Sequence, residues 1–487
     1  YINTRYFLTS VHEQHGCARS NPYKFDYYGM TSLPANTSNK KDYWGYYNAS
    51  TATPYPQIYV YPDLNNGQRY RINPIPGYTG TSYTLAGRDG TVNPNVIHYG
   101  SLKKLTYPTG GYTQIVYEPH TYYDATAGTT FTGGGIRAKV LAVYDGFDAD
   151  NPLITEFTYP VNGGKVKNVP QYAFPIAVYR SGATTYRVGD KTGQERWEFF
   201  TNRTKKDLLS GSNYDGQYVI YDQVEELFPG KGKTIYYFST PATFNQTSYS
   251  DWNASYSYIA RKSIGSGCTT IGLLDEGYYT YPFPVNTNYS FERGNIDKVE
   301  MYNETGNKVK EITFTYARIP GRTALYTYGV NFEIMKGDVE IFNYSKYKLL
   351  TNQNKVLTEK RVKTFDPTNW SQSIEDLSTL SYNSNATLGS MVTRDSEDNE
   401  YTLALKYANQ YSLGTINDDF TQTLKNMVTR NMLGIPIETT WQKKIGTMNY
   451  VIRSGISFYQ TLDASYDVNN NLINGKTITF GKNEKEY

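Results

Sequence analysis

His12-Glu13-Gln14-His15-Gly16-Cys17 gathers two imidazoles, a carboxylate and a thiol, donor types that suit a zinc or copper ion. The spacing argues against a site. On an extended strand residues 12 and 15 face opposite sides, and no second cluster supplies the missing ligands. A surface hairpin tip is the simpler reading. The other two histidines, His98 and His120, flank a Leu-Lys-Lys block and read as loop residues. Asp395, Glu397 and Asp398 crowd three acids together, but lack the ligand spacing and glycine of a calcium loop, so a solvated hairpin loop is expected. Nucleophile elbows, phosphate-binding loops, His-Glu-x-x-His and dinucleotide-binding glycine motifs do not occur. Gly265-Ser266-Gly267-Cys268 falls short of all of them and reads as a flexible turn. The 45 acids give too many pairs to single out two for glycoside cleavage. No cofactor is expected.

The elements that would have to position these residues are strands. Period-2 alternation places Tyr23, Phe25 and Tyr27 on one face, sets Ile58 and Val60 against Tyr59 and Tyr61, and aligns Ile312, Phe314 and Tyr316. Turn punctuation is dense, as at Asn65-Asn66-Gly67, Pro108-Thr109-Gly110-Gly111, Asn162-Gly163-Gly164 and Asp215-Gly216. Gly110, Gly111, Gly134, Gly135 and Gly294 are expected at turns. One helical stretch stands out, Thr421 to Met432, with Leu424, Met427 and Val428 on one face. A loose unit of strand, Tyr-Asp or Tyr-Asn turn and strand recurs at Tyr144-Asp145-Gly146 and at Tyr302-Asn303-Glu304-Thr305-Gly306-Asn307. Weaker copies begin at Phe365-Asp366 and Tyr466-Asp467. A lone hairpin cannot bury its apolar face, so such units must pair laterally in a larger sheet.

Composition sets further bounds. Of 487 residues 51 are tyrosine, and so much ring surface argues against disorder. Tyrosine fills broad sheets, its ring packing across strands while its hydroxyl reaches water or backbone; exposed, it makes platforms for sugars or proteins. The structural use is favoured by its regular placement along the strands. Trp44, Trp197, Trp252, Trp370 and Trp441 are too dispersed to define a platform. A net charge of +3 gives no reason to expect nucleic acid as a partner. No apolar run approaches the ~20 residues of a spanning helix. Cys17 and Cys268 can form one disulfide, although two free thiols are the blander reading. Both ends read as cut, and the chain is expected to be a piece of a longer one.

Several blocks carry a family resemblance. They are Asp42-Tyr43-Trp44-Gly45-Tyr46-Tyr47-Asn48, the Tyr99-Gly100-Ser101-Leu102-Lys103-Lys104-Leu105-Thr106-Tyr107-Pro108-Thr109-Gly110-Gly111 run, and Gly133-Gly134-Gly135-Ile136-Arg137. Later ones are Gly232-Lys233-Thr234-Ile235-Tyr236-Tyr237-Phe238-Ser239, Arg293-Gly294-Asn295-Ile296 and Asn431-Met432-Leu433-Gly434-Ile435-Pro436-Ile437-Glu438. In this order they resemble the Rhs/YD-repeat proteins, large exported β-rich proteins of Gram-negative bacteria. The resemblance implies an all-β fold, with long antiparallel hairpins wound into a curved sheet or shell, and a location on the cell surface or outside the cell. The paired Asp-Pro-x-Gly blocks of Rhs self-cleavage are missing, Asp366-Pro367 being the sole Asp-Pro. Autoproteolysis is therefore not expected within these residues.

Three regions are expected: 1–125 with Tyr43, Trp44, Tyr46 and Tyr47, 126–290 with the first Tyr-Asp unit, and 291–487 with the later hairpins. The leading functional expectation is a non-enzymatic shell or cell-surface interaction protein. It would enclose or present a polypeptide, or dock to an outer-membrane assembly of envelope proteins. The alternative is a glycan- or peptide-binding component of an uptake complex that uses tyrosine platforms. A hydrolase comes third.

Overall fold

A computed structural model of the chain describes residues 5–16, 18–63, 69–73, 83–124, 128–148, 150–160, 163–166, 172–180, 196–203, 218–239, 256–261, 272–276, 294–319, 325–335, 341–351, 355–415, 418–459, 465–466, 472–473 and 483–486. The fold is all-β, built from antiparallel strands with one α-helix among the described residues. The chain divides into two compact units, Tyr1–Asn295 with Leu325–Thr351, and Ile296–Ala324 with Asn352–Tyr487. The expected boundary at 125–126 is not one. It falls within a long hairpin whose strands, Tyr112–Asp124 and Thr129–Tyr144, stay paired from Asp124 with Thr129 to Tyr112 with Tyr144. The break comes at 295–296 rather than 290–291, and residues 325–351 return to the first unit, a return that no shift in composition announces.

In the first unit, Ser10–Val11, Tyr23–Tyr27, Leu102–Thr106, Tyr112–Asp124, Thr129–Tyr144, Leu153–Thr158, Gln223–Phe228 and Gly232–Phe238 pair successively. Alternation is visible in the Tyr23–Tyr27 strand, where half-buried and exposed residues take turns. Smaller sheets accompany this ladder, including Ile58–Asp63 between Arg69–Asn73 and Tyr83–Leu85, and Gly164–Val166 paired with Val219–Tyr221. The buried core consists of Tyr43, Trp44, Ile58, Tyr122, Tyr172 and Val219, with four aromatics among its six members. Aromatic rings supply much apolar area per residue, and their polar tips need partners. Tyr172 donates to the Tyr43 carbonyl at 2.6 Å, and Tyr43 donates to the Gln57 carbonyl at 2.8 Å.

The second unit is a meander. Ile296–Tyr302, Lys308–Arg318, Lys355–Asp366, Asn369–Tyr382, Leu388–Arg394, Glu400–Tyr407, Pro436–Ile445, Met448–Phe458 and Asn483–Glu486 pair in chain order. Its helix, Asp419–Thr429, lies in the connection between two of these strands and starts at Asp418, whose side chain accepts from the Thr421 amide. Leu424 and Met427 are buried with Ala408 and Ile437, whereas Val428 is exposed and Thr423 takes the third buried place. Thr423 satisfies its hydroxyl on the Asp419 carbonyl, so burying it costs little.

One loop geometry recurs through both units. At 42–46, 107–111, 303–307, 383–387 and 395–399 the first residue donates to the carbonyl of the fifth, and the fourth donates back to the first, at 2.7–3.2 Å. The fourth residue is left-handed each time: Gly45 at φ +98, Gly110 at +94, Gly306 at +81, Ala386 at +72 and Asp398 at +64. This is the three-residue hairpin loop, a tight turn closed by a left-handed residue. Glycine takes that conformation freely; alanine pays about 1–2 kcal/mol, partly offset by the extra freedom glycine has when unfolded. Ala386→Gly should therefore raise stability by about 0.5–1 kcal/mol and Gly306→Ala lower it by about 1 kcal/mol. Urea midpoints measure both. A fall on Ala386→Gly would contradict the left-handed assignment.

Candidate functional site

The three sequence blocks from the first 140 residues come together in the first unit. Asp42 opens one of the recurrent loops, and its Oδ1 accepts from the Trp44 amide at 2.9 Å and the Tyr46 amide at 2.8 Å. The loop carries Trp44 into the core, where its ring meets Tyr43 and Tyr122 edge to face. Gly134 lies directly beneath: a methyl group there would stand 2.2 Å from the Trp44 Cβ. Gly135, at φ +92, passes under Tyr46 and His120. Gly134 and Gly135 are thus not turn residues. They lie inside the Thr129–Tyr144 strand at a break in register between Thr132 and Ile136, where the missing side chains admit the aromatic loop.

Beside them is a stack of polar rings. The Arg137 guanidinium lies 4.1 Å from the Tyr159 ring centre and 4.9 Å from that of Tyr221. It also donates to Glu118 Oε1 at 2.7 Å and to the Tyr221 hydroxyl at 2.6 Å. His120 Nδ1 shares that hydroxyl at 3.0 Å. Burial, with help from the Arg137 charge, pushes the His120 imidazole down to about 4, and burial pushes the Tyr159 phenol up to about 12. A neutral histidine and un-ionised phenols around a paired arginine make a brace between strands. His120 is a strand residue here, not a loop residue. The strand runs on through Pro119, which sits opposite Ile136 beside the break in register, where a strand tolerates a missing donor.

Asp42 is the other unusual acid. It has no exposed surface, and its Oδ2 has no hydrogen-bond partner. Burial pushes its carboxyl up to about 7, against the pull of the amides of Tyr46, Trp44 and Gly45 and of the Arg88 charge. Asp395 accepts the equivalent amides, of Glu397 and Asn399; desolvation is the largest single influence on it, but those amides, the Asn399 side chain and the Lys443 charge together hold its carboxyl below the usual value. The same loop thus shifts its acid in opposite directions, with full burial the dominant influence at Asp42 and hydrogen bonds with a nearby cation prevailing at Asp395.

A cleft of about 580 Å³ opens beside the Asp42 loop, within the ~300–1,000 Å³ range of ligand pockets. Gly45, Tyr46 and Tyr47, Tyr99, Gly100 and Ser101, and Ile136 all line it, so each of the three sequence blocks contributes. Arg5, Tyr6 and Phe7 contribute a further wall, which Arg5 Nε ties to the Pro34 carbonyl at 3.1 Å. Tyr47 and Tyr99 stand 6.0 Å apart at 34°. Lys40 and Lys41, with Asn36 and Ser38, add to its polar lining. Nothing in the spacing of Arg5, Lys40 and Tyr99 announces this cleft; the antiparallel ladder has to fold before they meet.

The remaining sequence candidates are dispersed. His12 is exposed, with Nδ1 3.3 Å from the Ser20 carbonyl, and Gln14–His15 pairs with Ala18–Arg19; Cys17 lies outside the described residues. No metal-binding cluster occurs among the described residues. His98 packs edge-on against Tyr28 and Tyr99. Gly110 sits in a recurrent loop, and a methyl on Gly111 would press the Tyr144 carbonyl at 2.9 Å. Gly294, at φ +71, donates to the Ser239 carbonyl at 3.2 Å. Asp395, Glu397 and Asp398 share a hairpin loop, where Asp395 accepts from the loop's own amides, Glu397 accepts from the Asn399 side chain and Asp398 pairs with Arg394. Cys268, the Gly265 turn, Trp252, Asn65-Asn66-Gly67, Asp215-Gly216 and the Asp467 turn lie outside the described residues, as does Asn162. No helix among the described residues is long and apolar enough to cross a membrane. No protein-family model matches the chain, and no curated protein matches it.

Proposed function

We propose that this chain is a non-enzymatic, exported β-sheet protein of the Rhs/YD-repeat type, acting as a structural wall or cell-surface interaction protein. The observation that carries this reading is where its polar groups are spent. Glu300 holds Lys308 of the adjacent strand at 2.6 Å and Lys298 of its own strand at 3.0 Å. Arg361 pairs with Glu375, Arg394 with Glu400 and Arg137 with Glu118, each across a strand pair. Tyrosine hydroxyls go to backbone carbonyls, Tyr28 to Ile115, Tyr159 to Ala138, Tyr316 to Ile296 and Tyr407 to Leu388. Groups able to do acid–base chemistry serve as struts, which is what an extended wall needs and what a catalytic centre cannot spare. Its partner would be an enclosed polypeptide or another envelope protein.

The test is topological. Protease or antibody applied to intact cells that make the protein should reach the chain on the surface or in the medium, while the purified chain turns over no polysaccharide or peptide library. Access only after the cells are broken open would refute export. Turnover abolished by one Asp or Glu substitution would replace the reading with an enzyme.

A further inference from the structure

The cleft beside the Asp42 loop is spared the bracing that ties up tyrosines elsewhere. None of Tyr6, Tyr46, Tyr47 and Tyr99 has a hydrogen-bond partner for its hydroxyl among the described residues, and Tyr6 is 84% exposed. Among the described residues Lys40 and Lys41 have no carboxylate partner either, unlike the paired lysines of the sheets, and no acidic side chain lines the cleft. Unspent phenols and unspent cations thus share one concave surface.

We propose that this cleft binds an acidic polysaccharide, one whose sugar rings carry carboxylates. The match is chemical. A pyranose offers an apolar face to an aromatic ring, hydroxyls to the phenols, and a carboxylate to Lys40, Lys41 or the free guanidinium edge of Arg5. A neutral glycan would leave the cations unused. An acidic peptide would satisfy them, and its carbonyls could accept from the phenols, but it offers no regularly repeated flat apolar face to the paired rings of Tyr47 and Tyr99. The inference rests on the cleft alone and does not depend on the wall reading: a soluble or intracellular chain with this surface would bind the same ligand.

The test uses the full chain and calorimetric titration with tetragalacturonate, with cellotetraose and tetraglutamate as comparison ligands. Tetragalacturonate should bind in the submillimolar range and weaken steeply between 50 and 300 mM salt. Lys40→Gln/Lys41→Gln should lose at least tenfold in affinity, and Tyr47→Ala a comparable amount at unchanged salt dependence. Unchanged thermal unfolding shows that the variants fold; Arg5→Gln/Lys40→Gln replaces the first if it does not. Absence of tetragalacturonate binding at 50 mM salt overturns the proposal. So does binding that survives all these variants, or tetraglutamate binding as tightly, which would make the surface a peptide site.

Discussion

Gly134→Ala should cost about 3 kcal/mol or more, enough to abolish folding of the first unit at moderate temperature if its stability is ordinary. The added methyl would sit 2.2 Å from Trp44 Cβ, 2.3 Å from Cγ and 2.8 Å from Cδ2. It thus meets the root of the side chain, which cannot swing aside, and not a flexible tip. Trp44 cannot retreat, because its ring is held against Tyr43 and Tyr122 in the core. The opposing strand is fixed by the long pairing of Thr129–Tyr144 with Tyr112–Asp124. The clash must then be relieved by parting the Asp42 loop from the sheet, which exposes the core aromatics. Gly110→Val provides the contrast: a Cβ there has no heavy atom within 4 Å, so the penalty falls on the left-handed backbone at φ +94, at about 1–3 kcal/mol. Chemical denaturation of both variants decides it. A loss below about 1 kcal/mol for Gly134→Ala would show that the loop is not wedged there.

That glycine also marks the limit of what the sequence discloses. Alternation of aromatic and β-branched residues states the strand class plainly, and the ladders of both units follow it. The Tyr-Asn turn at Tyr302-Asn303 becomes a real loop because the Asn303 side chain accepts from the Asn307 amide at 2.9 Å, a local bond that a local pattern can encode. Two copies hide from that pattern: Ala386 and Asp398 hold the left-handed position that glycine usually advertises. Gly133-Gly134-Gly135 reads as a turn because runs of glycine usually are turns. Here the run clears space for a tryptophan 90 positions earlier in the chain, and no window of sequence contains both. The cleft is illegible for the same reason. Its cations and phenols come from residues 5–7, 40–47 and 99, which meet once Tyr23–Tyr27 pairs with Leu102–Thr106 and Arg88 and Asn48 tie residues 41–48 to residues 88–91.

The second large effect is a pH dependence that the wild type should conceal. The Asp42 carboxyl is raised from 3.8 to about 7, so the folded state keeps a proton that the unfolded chain has already released. Its contribution to stability is complete below pH 3.8 and is lost as pH rises towards 7. The ceiling is about 4 kcal/mol, at ~1.4 kcal/mol per pH unit. The His120 imidazole is lowered from 6.5 to about 4, so the unfolded chain takes up a proton that the folded one refuses. Its contribution is complete above pH 6.5 and is lost as pH falls towards 4, with a ceiling of about 3 kcal/mol, less what its partial exposure screens. Between pH 4 and 6.5 the two slopes oppose each other and nearly cancel, leaving the first unit almost level. Asp42→Asn keeps an oxygen for the Trp44 and Tyr46 amides but has nothing to ionise, so its stability should climb from pH 4 to 6.5 and then stay flat. His120→Gln should do the reverse and decline from pH 4 to 7. Surface acids such as Asp395 and Asp418 titrate alike in all three proteins, and so drop out of the differences. Urea unfolding at half-unit steps of pH resolves the slopes. A difference between Asp42→Asn and wild type that stays constant from pH 4 to 8 would mean that Asp42 is ionised in the core throughout, with Arg88 supplying more of its counter-charge than burial removes.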